Sequence, residues 1–305
     1  MSSKPTLKIN PFDVRNHMKT LGKVELLTCL IDSGLFEVGS HEERISTLKG
    51  DRAALLLVNG KKIYLDLWEY SSPTYSTAVH EYEMDLIIKL QHKDMEDDYF
   101  LNKCKIKNVL VNLSDDEKIR FKAKIVPWTF FPSRMLKPFI YSGKEIPYVP
   151  VSQFGFFCGK MWKCRKKICK RLEEFGVEMV ASKQETRAGR PLSDDDYIRK
   201  MVGSKFGIII HGRGSHFTEA KNRREVDYTF LGKPILMNYK PFYYNPMVEG
   251  EHFIYIDENT EFEKIEELYN TDEIARAGRE WYEKNASPTG TANSFMQIMT
   301  EKGIV

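Results

Sequence analysis

Long hydrophobic runs are missing from this 305-residue chain, and no window reaches the roughly 18 apolar residues that a membrane-spanning helix needs. Its opening residues, MSSKPTLKINPFDVRNH, hold no apolar stretch of the kind that forms the core of a secretory signal. A soluble, cytoplasmic protein is the expectation. Cysteine is scarce as well: the five thiols, at Cys29, Cys104, Cys158, Cys164 and Cys169, are odd in number and too sparse for a disulfide framework. The last three lie six and five residues apart with no histidine nearby, a spacing that suits no zinc site, so no metal is expected. Charge of one sign is lacking too, with 46 Lys+Arg against 43 Asp+Glu. That balance neither demands nor forbids a nucleic-acid partner, because a basic groove can sit inside a near-neutral total. There is no internal repeat and no low-complexity tract, which sets solenoid architectures aside.

What is present is a succession of short apolar runs separated by helical patterns. In the first half, AALLLV (53 to 58) and KIYLDLWEY (62 to 70) flank an Asn-Gly turn and predict a hairpin, while MDLIIKLQ (84 to 91) and NVLVNL (108 to 113) predict two more strands. Residues 126 to 151 carry five prolines and many aromatics and predict irregular chain packed on its rings. The second half restarts with the strand QFGFFCG (153 to 159), then a basic helix whose apolar stripe runs through Cys164, Ile168, Leu172 and Phe175. Strand VEMVAS, a helix capped by Ser193, the doubly apolar strand FGIIIH, then KPILMN and HFIYID follow, and helices close the chain. Alternating strands and helices predict an α/β protein of two Rossmann-like domains. The expected units are residues 1–145, residues 146–285, and a terminal helix over 286–305 that packs back toward the first.

One stretch carries chemistry. At IIIHGRGSHFTEAKNRRE a buried strand runs into Gly212, Arg213, Gly214 and Ser215, where a sharp turn opens a helix whose free N–H groups attract anions. The dinucleotide fingerprint fails, since Phe217 stands where its third glycine belongs, and no Gly-Lys-Ser/Thr follows to make a Walker loop. Glycines that merely end a strand remain an equal reading. Arg165, Arg223 and Arg224 change the balance, because arginine grips phosphate through a planar two-pronged fork. Together they point to a diphosphate.

These residues resemble the protein O-glucosyltransferase and capsule-associated glycosyltransferase family, over roughly residues 153 to 290. GFFCGKMWKCRKKI is similar to the segment ending in the arginine that contacts the donor diphosphate, a place taken here by Arg165. IIIHGRG through PFYYNPMVEGEHFIYI is similar to a second signature: Arg224 and Gly232 keep its spacing of eight, and His252 matches its last strand. DEIARAGREWYEKN is similar to a helix near the family's C-terminus, and IYLDLWEYSSP to a strand ending in the general base. Cys158 stands where the family has an arginine, the stretch between Arg213 and Arg224 is four residues longer, and the luminal signal of eukaryotic members is missing.

The resemblance implies a GT-B glycosyltransferase, two Rossmann-like domains facing a cleft, of microbial or viral kind. It would move xylose or glucose from a UDP-sugar to a hydroxyl of a glycan or glycoprotein, with inversion and with no cofactor or metal. Glu69 is then the expected base with Asp66 as fallback; Arg165 and Arg224 hold the diphosphate, residues 212–215 line it, and Glu225, Tyr243, Glu249 and His252 complete the donor side. Two rivals stand beside it: a transferase acting on modified DNA bases, fed by the basic WKCRKKICKR and KNRR segments, and a non-catalytic nucleotide- or glycan-binding module.

Overall fold

The computed structural model describes residues 3–15, 23–43, 53–66, 83–89, 114–128, 136–159, 165–181, 192–211, 223–241 and 243–305. Glu69, the turn Gly212 to Ser215, Cys164 and the strand expected at 108–113 lie outside these residues.

The chain opens with β1 (Thr6–Ile9), α1 (Pro11–Arg15), α2 (Lys23–Asp32) and β2 (Glu37–Ser40), then β3 (Ala53–Val58), β4 (Lys61–Asp66) and β5 (Leu86–Lys89). Helix α3 (Asp115–Ala123), β6 (Ile125–Pro127) and α4 (Lys137–Tyr141) complete the first half. Its six strands run in the order β2-β1-β3-β4-β5-β6. This sheet is mixed, which corrects the expectation of a Rossmann-like first domain: β1 with β3 and β3 with β4 are antiparallel, and the other pairs are parallel. The Asn-Gly turn is the physical reason. Asn59 and Gly60 both take positive φ (48° and 80°), the backbone of a two-residue turn that returns the chain antiparallel to itself.

The second half runs β7 (Gln153–Gly159), α5 (Lys166–Glu174), β8 (Val177–Ala181), α6 (Asp194–Val202), β9 (Ser204–Ile209), α7 (Arg223–Phe230), β10 (Ile235–Met237) and β11 (Ile254–Tyr255). It ends in α8 (Ile265–Leu268), α9 (Thr271–Asn285) and α10 (Pro288–Glu301). The five strands are ordered β11-β10-β9-β7-β8, and every pair is parallel. From β7 the chain steps to one side to form β8, then crosses back to the other side for β9, β10 and β11 in turn. This is the doubly wound order in which the direction of winding reverses between the first and third strands.

Side-chain parity assigns the helices to faces. Phe157, Ile208 and Ile210 pack with Ile168 and Leu172 of α5, whereas Phe156 and Ile209 pack with Tyr197 of α6 and Tyr228 of α7. Both faces of β9 are covered, so Ile208, Ile209 and Ile210 are all fully buried, each worth about 2 kcal/mol of transfer free energy. Helix α6 starts where Ser193 accepts the Asp196 amide at 3.1 Å, with Asp194 to Asp196 stabilised by the amide dipoles of the first turn. The last helix, α10, lies against α2, and its Phe295 meets Phe36 at 6.0 Å and Trp128 at 5.7 Å between ring centroids.

Candidate functional site

Gly159 ends β7 beside the reversal of the winding, and two arginines meet over it. A Cβ at this position would lie 3.2 Å from Arg224 Nη2, 3.4 Å from Arg165 Nη1 and 3.1 Å from the Phe157 ring, so a bare α-carbon lets both guanidinium groups close over the strand end. Arg165 immediately precedes α5, and Arg224 stands in the first turn of α7, which leaves from the other face of the sheet. Their Cζ atoms sit 5.3 and 5.0 Å from the centroid of the same buried Phe157 ring, close enough for each cation to be held by its π face.

Arg224 is oriented as well as placed. Its Nη2 donates to the Cys158 carbonyl, and its Nε donates to the Tyr197 hydroxyl at 3.3 Å. Burial raises the pKa of the Tyr197 phenol, so a neutral oxygen receives that hydrogen. Two neighbouring cations repel by about 2–3 kcal/mol at the effective dielectric of a protein surface. An anion at this strand end would relieve that repulsion and accept charge-assisted hydrogen bonds from the guanidinium groups.

Glu225, next to Arg224, is fully buried and turned inward. One carboxylate oxygen accepts the Tyr239 hydroxyl, and the other accepts the Tyr243 hydroxyl at 2.6 Å. Burial, and then the carboxylate itself, push the Tyr243 phenol well above its ordinary range, so it remains a proton donor. The expected donor contacts of Glu225 and Tyr243 therefore give way to an internal role, in which they bind the segment after β10 to the start of α7.

Two further expectations are corrected by register. Ile254 pairs with Leu236 and Gly207 with Ile235, and Phe206 pairs with Gly155, so His252 enters the sheet level with Gly155. That is four residues, about 13 Å of extended strand, short of Gly159, and three strands away from it. His252 instead closes its own turn, its Nδ1 accepting the Val248 amide at 2.9 Å. Glu249 pairs with Lys240 at 2.7 Å on the surface of the same segment.

In the first sheet Asp66, at the end of β4, meets Lys89 Nζ, at the end of β5, at 3.1 Å, both side chains wholly buried. A charge so enclosed is held by its partner and is poorly placed to take a proton from an incoming hydroxyl. Among the described residues no group of three or more His, Cys, Asp and Glu is arranged to hold a metal ion, and no helix is long and apolar enough to cross a membrane.

The sequence thus singled out the two arginines that the structure brings together. It missed Gly159, Tyr197 and Tyr239. Gly159 left a usable signal, a glycine ending an apolar strand, whereas nothing in residue type set these two tyrosines apart from the other thirteen. Compared with protein-family models and with curated proteins, the chain matches no family model and no curated sequence.

Proposed function

We propose that the chain is a nucleotide-sugar glycosyltransferase that moves xylose or glucose from a UDP-sugar to a hydroxyl of a glycan or glycoprotein. The observation that carries this reading is the meeting of Arg165 and Arg224 over Gly159 at the point where the winding of the parallel sheet reverses. Open α/β sheets bind ligands in the crevice outside the carboxyl ends of their strands at that point. Two forked cations there suit a diphosphate.

In the reaction, the bond between the anomeric carbon and the diphosphate oxygen breaks with its electron pair going to that oxygen. The arginines offset the charge that develops. The acceptor hydroxyl bonds to the anomeric carbon from the opposite side and gives its proton to a carboxylate. Glu69 takes the base role by resemblance alone. Asp66, sealed against Lys89, serves to fix the ends of β4 and β5.

UDP release measured across a panel of UDP-sugars tests the activity. Arg224→Ala should weaken UDP binding at least ten-fold, the loss expected for a charge-assisted hydrogen bond of about 1.5 kcal/mol or more. An Arg224→Ala variant that binds UDP as the parent does would overturn the site.

A further inference from the structure

We propose that Glu225 is a positioning residue of the transfer: through Tyr239 and Tyr243 it fixes the stretch of chain that ties the donor-side strand ends to the strand ends of the first sheet, an inference that rests on the donor-site reading above. That stretch, residues 238–245, leaves the carboxyl end of β10. Helix α7 begins at the same edge of the second sheet, because it follows β9, the parallel neighbour of β10. Arg224 and Glu225 are adjacent in the chain and serve different directions, one toward Gly159 and the other toward this stretch.

The stretch is anchored along its length. The hydroxyls of Tyr239 and Tyr243 donate to the two oxygens of the Glu225 carboxylate. All three side chains are buried, so water competes little for these charge-assisted bonds. Asn245 turns in left-handed backbone (φ 49°), and its carbonyl accepts the Trp281 indole N–H of α9 at 3.1 Å. Between these anchors the Tyr244 amide donates at 2.6 Å to the carbonyl of Pro127, the last residue of β6. That bond crosses from the second half of the chain to the first. The Tyr244 hydroxyl adds a link to Glu301 of α10, at 2.8 Å, and α10 lies against α2.

Pro127 stands at the carboxyl ends of β4, β5 and β6, which run parallel to one another, and open α/β sheets bind ligands at that edge. The next amide, Trp128, donates to the Lys89 carbonyl at 3.0 Å and ties β6 to β5 there. Tyr244 is seven residues beyond Met237, the end of β10, and a fully extended chain of that length spans at most about 25 Å. Chain length alone would let the two sheet edges vary over much of that range, and the buried carboxylate removes the freedom. Transfer from a donor held by Arg224 to an acceptor on the first half needs one fixed separation, since a misplacement of about 1 Å can lower the rate about a hundred-fold.

The test is hydrogen exchange of the full chain, followed by NMR with and without UDP, at the Tyr244 and Trp128 amides. In the parent, UDP should slow both by about five-fold or more, because its contacts with Arg224 stiffen the start of α7 and everything tied to Glu225. Tyr243→Phe removes one hydroxyl from the carboxylate and keeps the ring; it should bind UDP within about two-fold of the parent and lose that slowing. With p-nitrophenyl glucoside as acceptor, its kcat should fall at least ten-fold at an unchanged KM for the UDP-sugar. Tyr239→Phe releases the other oxygen and should act in the same sense, which serves if the first variant does not fold. If UDP binds the parent without slowing these amides, or slows them equally in both variants, the positioning role is refuted and the donor site stands. A parent chain that binds no UDP brings down the donor reading, and this role with it.

Discussion

Gly207 of β9 sits directly beneath Tyr228 of α7, and a methyl group there would have no room. A Cβ built on Gly207 falls 2.6 and 2.7 Å from Tyr228 Cδ2 and Cδ1, about 1 Å inside van der Waals contact. The ring cannot step aside, because it is fully buried and its hydroxyl donates to the Phe156 carbonyl at 2.9 Å. Gly207→Ala therefore pushes α7 off the sheet by about 1 Å at a cost of about 2–3 kcal/mol, the upper part of the usual overpacking range. For a unit of 150–250 residues that lowers Tm by roughly 5–10 °C. Arg224 lies one turn before Tyr228 on the same helix, so UDP affinity should fall in the same variant without any change to a side chain that touches ligand.

The assay is thermal unfolding of Gly207→Ala, Tyr228→Ala and the double variant, with UDP titration of each. Removing the ring relieves the clash, so the two substitutions should couple by at least about 1 kcal/mol, as neighbours in contact do. Strict additivity, or a Gly207→Ala protein as stable as the parent, would refute the packing argument.

The buried pair of Asp66 and Lys89 offers a second check: Lys89→Met alone should cost about 3–5 kcal/mol in urea unfolding, because it leaves the Asp66 charge without this partner. Lys89→Met with Asp66→Leu should recover much of that loss. His252 predicts a pH dependence, since burial holds its pKa below the ordinary value, against the opposing pull of Glu251. Above about pH 6.5 the ring is neutral in both states and folding keeps its full stability; below that, the unfolded chain takes up the proton first. Stability should thus fall with acid through the folded-state pKa and then level off. His252→Asn, which offers an acceptor oxygen to the Val248 amide without titrating, should remove that component from the pH profile of Tm, and coincident profiles for parent and variant would count against it.

Local information settled more of the fold than of the site. Asn59-Gly60 between two apolar runs determined a hairpin, because only left-handed backbone closes a two-residue turn. The same hairpin forced antiparallel pairing on the first sheet, a consequence that the broader pattern of alternating strands and helices concealed. Ser193 ahead of three aspartates determined a helix start, and three consecutive isoleucines determined a strand covered on both faces.

Strand order was not legible, since equally apolar strands can be arranged in several orders and nothing in β7, β8 or β9 alone says which pair flanks the reversal. The resemblance to a glycosyltransferase family nominated Arg165, Arg224, Glu225, Tyr243 and His252 alike. Only register and burial separated them: the arginines converge on Gly159, Glu225 and Tyr243 satisfy each other in the interior, and His252 enters from the opposite end of the sheet. The sequence by itself determined which side chains can bind an anion, because that is a property of single residues. The tertiary structure alone decided which of them share one point in space, because that depends on pairings between strands some fifty residues apart.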